Sequence, residues 1–152
     1  MRVVVQRAAK GGVDISEENY TREIGRGLVI LLGIRTGDTE KDAKFLADKC
    51  SSLRIFSLED SDDGKMNYSV KDINGEVLVI SQFTLYGDAS RGNRPGFTDA
   101  AKPDEAVPLY EKFLERMKQN LGIEKVKSGI FGAMMEVRIF NDGPVTIIIN
   151  SK

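Results

Sequence analysis

Three stretches of the chain combine residue types and spacings that can do chemistry. In SQFTLYGD, residues 81–88, an apolar run closes in a hydroxyl, an amide, an aromatic ring and a second hydroxyl: Ser81, Gln82, Phe83 and Thr84. Strand ends that release polar side chains and unpaired backbone N–H groups into a loop are common places for sites, although these residues also serve as plain turn formers. In SGIFGAMMEV, residues 128–137, Gly129 and Gly132 flank Phe131, which reads as close backbone approach or, taken alone, as a bulge. In NDGPVT, residues 141–146, Gly143-Pro144 stands directly before β-branched residues. Proline lacks the N–H a ladder needs, so spacing alone reads a turn with a trans Pro144 opening a strand.

What the composition withholds narrows the mechanism. There is no histidine, which removes the usual general base for a serine or cysteine nucleophile and closes the familiar zinc sites. The single cysteine, Cys50, excludes an internal disulfide, and its place in an amphipathic stretch reads as packing. No metal or cofactor is expected. Glu59, Asp60, Asp62 and Asp63 crowd one loop but lack EF-hand spacing and its closing glutamate, so they read as a solvated turn. With 22 basic and 23 acidic residues the net charge is −1, so any contact with nucleic acid must be local. The apolar run near the N-terminus is too short for a signal peptide, and none approaches a membrane span, which predicts a soluble cytoplasmic protein without a membrane partner.

The elements that must position these residues follow from periodicity. Residues 2–9 and 12–16 read as strands joined by a hairpin at Gly11-Gly12. The continuous apolar runs 27–34 and 76–82 read as core strands buried on both faces. Between them, Ala43, Leu46, Ala47, Cys50 and Leu53 recur at helical spacing behind a cap at Thr36 or Asp38. Residues 83–103 form a long aperiodic loop, the kind that tends to carry function. A second helix runs from an N-cap at Asp104, with Pro108 near its first turn, along the stripe Val107, Tyr110, Phe113, Leu114, Met117 and Leu121 to Gly122. Residues 134–140 alternate as a strand with one wet face, and Asn141-Asp142-Gly143 turns the chain into a last strand. The sum is a single α+β domain, 1–152, mainly antiparallel, with two main helices packed on the sheet.

VVQRA, IGRGLVILLGI, DTEKDA, LRIF followed by GKMN, SQFTLYGD, RGNRPGF, FGAMMEV and NDGPVT, in this order along essentially the whole chain, resemble the D-aminoacyl-tRNA deacylase family. The resemblance implies a barrel-like sheet and a cytoplasmic homodimer with active sites at the subunit interface. It implies hydrolysis of the ester between a D-amino acid and the 3′-terminal adenosine of tRNA, a chiral proofreading step in translation. Ser81, Gln82, Phe83 and Thr84 would line the catalytic pocket, with Thr84 a candidate nucleophile and the Phe83 and Thr84 N–H groups an oxyanion hole. Gly143 and Pro144 would be joined by a cis bond and enter the partner's pocket. Gln6 and Arg7 would lie near that motif, and Phe131 and Met135 near the terminal adenosine. Met134 departs from the family pattern, where that position is often acidic.

Within that resemblance the residues favour one route. A threonine hydroxyl needs a base, and no histidine is present. An aminoacyl ester carries its own vicinal ribose hydroxyl, which can orient water, leaving the protein to position the ester and supply oxyanion donors. Gly143-Pro144 carbonyls would take the α-ammonium and exclude an L side chain, and glycine would slip through. Arg91, Arg94, Lys102, Lys125 and Lys127 are the candidates for RNA phosphates, with solvated surface the competing reading. The alternative function is a non-catalytic module that binds the aminoacyl end of tRNA or a free amino acid.

Overall fold

The computed structural model describes residues 1–57 and 64–152. The acidic loop singled out above, Glu59 to Asp63, lies outside the described residues. A mixed sheet is assembled from β1 (Arg2–Ile15), β2 (Tyr20–Ile24), β3 (Gly27–Gly33), β4 (Glu76–Ser81), β5 (Val126–Ser128) and β6 (Glu136–Asn150) in the order β2-β1-β3-β4-β5, with β6 on the other side of β1.

The expected hairpin at Gly11-Gly12 is instead the middle of one 14-residue strand. There β1 changes partner: Arg2 to Ala8 pair with β3, and Gly11 to Ile15 pair with β2. The glycines serve that crossing. A Cβ on Gly11 would stand 2.9 Å from Val29 Cγ2, and one on Gly12 would stand 3.2 Å from the Arg22 carbonyl oxygen of the neighbouring strand, so a side chain at either position would be crowded.

The pairings of β1 with β2, β3 and β6 are antiparallel, as expected of a mainly antiparallel sheet, while β3 with β4 and β4 with β5 pair in parallel, βαβ connections that the hairpin-like spacing did not suggest. The crossovers carry α1 (Glu40–Ser52) and α2 (Pro103–Leu121). Both helices pack on one face of β3 and β4, where Leu28, Ile30, Leu32, Val77 and Val79 meet Leu46, Cys50, Phe113 and Met117. Val29, Leu78 and Ile80 point the other way, into a second cluster with Ala8, Val13, Ile15 and Ile24. The strands are thus buried on both faces, as their unbroken apolar runs require. The Tyr20 hydroxyl donates to the Ser128 carbonyl at 2.8 Å, joining the outer strands β2 and β5, so the sheet curls into a nearly closed barrel.

The helix starts differ from expectation by a few residues. Thr39 caps α1 in a reciprocal box with Asp42, whose Oδ2 accepts from the Thr39 N–H at 2.8 Å and its hydroxyl at 2.7 Å. Asp38 instead accepts from the Arg35 N–H. Burial would raise the Asp42 pKa, but hydrogen bonds from Thr39 and Ser151 outweigh it and hold the carboxyl well below the ordinary range. α2 begins at Pro103 behind Lys102, with Asp104 in its first turn, where a negative charge suits the helix dipole. Pro108 falls in its second turn.

The expected turn at Asn141-Asp142-Gly143 does not reverse the chain. Both halves of β6 pair with the same strand, β1, and the register passes from Ala8↔Asn141 to Gln6↔Thr146. One residue of β1, Arg7, therefore faces four of β6, and Asp142 to Val145 leave the ladder as an excursion. The Gly143-Pro144 bond within it is cis, as the family resemblance implied and spacing did not.

Candidate functional site

A cavity of about 360 Å³ opens where the carboxyl ends of β3 and β4 meet the start of α2 and the 130–135 connection. Leu32 and Ile34 from β3 and its end, Ile80 from β4, and Ala101 and Ala106 beside and within α2 give it apolar walls. Ser81, Gln82 and Phe83 form one rim, and Phe131, Met134, Met135 and Val137 the other. Two motifs some 50 residues apart in sequence therefore meet around one space. None of the lining side chains is ionisable.

The chain turns sharply at the end of β4. The Gln82 N–H donates to the Leu32 carbonyl at 2.8 Å, the last rung beside β3, and Phe83–Tyr86 then form one 3-10 turn. The N–H groups of Phe83 and Thr84 lead that turn and have no backbone acceptor among the described residues, the usual condition of a helix's first donors. Thr84 is exposed and does not line the cavity. Its hydroxyl accepts from the Gln82 side-chain amide, and an amide donor does not draw off the threonine proton.

The opposite rim is set by contact with the core. Phe131 packs edge-on against Tyr110, ring centroids 5.7 Å apart, while the buried Tyr110 hydroxyl donates to the Val79 carbonyl at 3.0 Å. Burial pushes that phenol well above its ordinary pKa, so it stays a neutral donor. Gly129 is the close approach the sequence suggested: a Cβ there would lie 2.4 Å from Met135 Sδ. Gly132 serves differently, turning the chain at φ +77° in open space. Met134 is 85% exposed at the rim.

Gly143 and Pro144 do not line this cavity in their own chain; they stand exposed on β6. Arg7 lies against Gly143, and Gln6 against the flanking Asn141 and Thr146. The Arg7 side chain, only 14% exposed, donates to the Ile55 carbonyl at 2.7 Å and pairs with Asp142 at 3.0 Å. Gln6 reaches Asn141 Oδ1 and Thr146 Oγ1 at 3.4 Å. Asn141, missed as a functional position by sequence reasoning, clamps the base of the excursion by donating to the Arg7 and Val145 carbonyls, both at 3.0 Å. Gly143 has φ +115°, and a Cβ would stand 2.9 Å from both Arg7 Nη2 and Val145 Cγ2.

The structure divides the five proposed phosphate contacts. Lys102 adjoins the cavity-lining Ala101, and Arg91 and Arg94 project from the loop that leads away from the cavity rim, without a hydrogen-bond or ion-pair partner among the described residues. Lys125 and Lys127 lie toward the other end of β4: Lys125 donates to the Asn74 carbonyl and Lys127 to that of Glu124. A larger cleft of about 490 Å³ lies behind Tyr86, but its carboxylates, Asp38 and Asp99, are already paired with the N-terminal ammonium and Arg35.

The chain is 55% identical to a D-aminoacyl-tRNA deacylase of Thermotoga petrophila, covering 99% of this chain and 97% of that one. It is 52% identical to one of Halalkalibacterium halodurans over the full length of both. Among solved structures, a c-Myc DNA unwinding element binding protein superposes with a TM-score of 0.90 at 40% identity, covering 100% of this chain and 99% of the other. A probable eukaryotic D-amino acid tRNA deacylase shares the fold alone, with a TM-score of 0.87 at 16% identity over 98% of each chain. By fold and relatives the protein is a hydrolase of ester bonds, of the deacylase class. More narrowly, residues 4–150 match the family model described as D-Tyr-tRNA(Tyr) deacylase, and the chain belongs to that family.

Proposed function

We propose that this chain, acting as one domain over residues 1–152, hydrolyses the ester of D-aminoacyl-tRNA to free tRNA and D-amino acid. The observation that carries the mechanism is a cavity without an ionisable side chain beside two leading N–H groups that have no backbone acceptor. Such a site can stabilise an oxyanion but cannot activate a nucleophile, so water is oriented by the substrate's own vicinal hydroxyl. Losing one oxyanion donor typically costs about 10²–10³ in rate, so paired donors are substantial catalysis by themselves. Phe131, Met135 and the apolar walls suit the terminal adenosine, which leaves the ester beside Phe83 and Thr84.

Selection against L substrates is assigned to Gly143 and Pro144, whose exposed position on β6 leaves them free to enter a second subunit's cavity. A homodimer is supported by the outer surface of β6, where Phe140 is 54% and Ile148 65% exposed. Carbonyl oxygens of that motif would hold the α-ammonium and occupy the space an L side chain needs, and glycyl-tRNA would be accepted. Arg91, Arg94 and Lys102 would meet RNA phosphates. No helix among the described residues is long and apolar enough to cross a membrane; with a tRNA substrate, the cytoplasm is the proposed compartment.

The test is turnover of one tRNA carrying D-, L- or glycyl esters, together with a D-aminoacyl-tRNA lacking the vicinal hydroxyl. Hydrolysis of the D and glycyl forms only, and near inertness of the deoxy substrate, is expected. Equal rates on the L form would remove the chirality role, and efficient cleavage of the deoxy substrate would remove the substrate-assisted route. Binding without turnover of any form would favour the non-catalytic module.

A further inference from the structure

Beyond the rim of the cavity, the chain from Gly87 to Phe97 folds back on itself as an arm. Asp88 and Gly96 exchange backbone hydrogen bonds at 2.8 and 2.9 Å, and the Asp88 carboxylate accepts from the Ser90 N–H at 2.9 Å. The returning limb of the arm delivers Phe97 to the turn that carries the unpaired donors. Its ring meets that of Phe83 edge-on, centroids 5.1 Å apart and planes inclined by 71°. The same ring lies 2.9 Å from the place a Cβ would take on Gly87, and the Gly87 N–H closes the turn on the Thr84 carbonyl at 2.9 Å. Phe97 is thus wedged against both ends of the Phe83–Tyr86 turn.

Both rings remain well exposed, Phe83 at 56% and Phe97 at 39%. Little core packing fixes the Phe83 side chain, and the Phe97 ring supplies an oriented contact for it. Deepening the proposed mechanism and resting on it, we infer that Phe97 is a positioning residue: it holds the Phe83–Thr84 backbone donors at the angle the oxyanion needs. The Gly87–Phe97 arm is therefore part of the catalytic apparatus as well as the carrier of Arg91 and Arg94. A misplacement of about 1 Å can cost on the order of 100-fold in rate, and the part of the cavity lining that Phe97 packs against is Phe83 at its rim.

The experiment compares wild type, Phe97→Ala, Phe97→Tyr, Gly87→Ala and the double variant Gly87→Ala/Phe97→Ala in single-turnover deacylation of D-aminoacyl-tRNA at saturating enzyme. tRNA affinity and the amide resonances of Phe83 and Thr84 are recorded in parallel. Phe97→Ala is expected to lower the saturated rate about 10- to 100-fold, to change tRNA affinity less than twofold, and to shift both amide resonances; Phe97→Tyr is expected to restore rate and resonances. Gly87→Ala, at φ −70° and so free of backbone strain, is expected to slow the reaction by pressing on both the Phe97 ring and the Thr84 carbonyl oxygen, which its methyl would approach to 2.9 and 3.0 Å. Because the Thr84 contact persists when the ring is gone, the double variant should be at least as slow as Phe97→Ala alone. A Phe97→Ala rate within twofold of wild type, a loss confined to tRNA affinity, or unmoved amide resonances would overturn the inference. If wild type itself fails to hydrolyse the ester, the proposed function falls, and the resonances alone decide whether Phe97 positions the turn.

Discussion

Replacing Thr84 by alanine separates two chemistries by magnitude. Among the described residues the Thr84 hydroxyl makes one hydrogen bond, from the Gln82 side-chain amide, on an exposed turn, and it does not line the cavity. A typical hydrogen bond contributes about 0.5–1.5 kcal/mol net, and 1.4 kcal/mol corresponds to about tenfold in rate. The backbone N–H groups of residues 83 and 84 survive the substitution. If Thr84 only helps to shape the turn, Thr84→Ala should lose no more than about tenfold in the single-turnover rate of D-aminoacyl-tRNA deacylation. If it were the nucleophile, the loss should reach about 10⁴ or more, the scale on which serine hydrolases fail without theirs. The assay is release of radiolabelled D-amino acid at saturating enzyme, with circular dichroism confirming the fold. A loss beyond about 10³ in a folded variant would refute the reasoning, because no effect transmitted through one exposed hydrogen bond is that large.

Other outcomes follow from the same geometry. Gly143→Ala should destabilise the excursion by about 1–3 kcal/mol through its positive φ and the contact with Arg7, visible as a lower Tm together with weakened discrimination between D and L esters. Ala106→Leu adds three carbons at a position that lines the cavity and is also buried in the helix–sheet core, so deacylation should fall at least tenfold and overpacking should lower Tm as well. Neutralising Arg91 and Arg94 together should flatten the dependence of log affinity on log salt by about 0.7–0.9 for each phosphate lost, alike for every tRNA. Asp42→Ala should cost about 1–2 kcal/mol at neutral pH by removing the α1 box. Because the Asp42 pKa is lowered in the fold, its stabilisation is complete above the unfolded value near pH 4 and is lost as pH falls through the lower folded value. The stability difference between wild type and variant should therefore shrink below about pH 4, read by chemical denaturation across pH.

How much was legible depended on whether the signal was local. β3 and β4 were visible because a strand buried on both faces leaves an unbroken apolar run, and the helices because their stripes repeat. β2, YTREI, escaped notice because only Ile24 of its five residues is buried. The glycine pair at 11–12 and the NDG at 141–143 have the composition of reversals. Whether the chain reverses there is decided across the sheet, by β1 changing partners and by β6 meeting β1 on both sides of its excursion. At the site, the ends of β4 and the FGAMM segment were found from residue type, and Gly143-Pro144 through the resemblance. Ala101, Ala106 and Phe97 were missed, because an alanine that leaves room and a phenylalanine that props a neighbour look ordinary until the neighbours are known.

The excursion in β6 also bears on how the folded chain avoids its own kind of error. Among the described residues β6 pairs with β1 along one side only, so its other side offers a 15-residue line of backbone groups to any passing strand. An edge of that length is a template for uncontrolled growth of the sheet. Asp142 to Val145 leave the ladder near its middle and place a proline, which has no N–H to offer, where a straight strand would continue. The line is cut into two short pieces that no single extended segment can zip along. The feature proposed to read the substrate's handedness therefore also protects the solubility of the sheet that carries it.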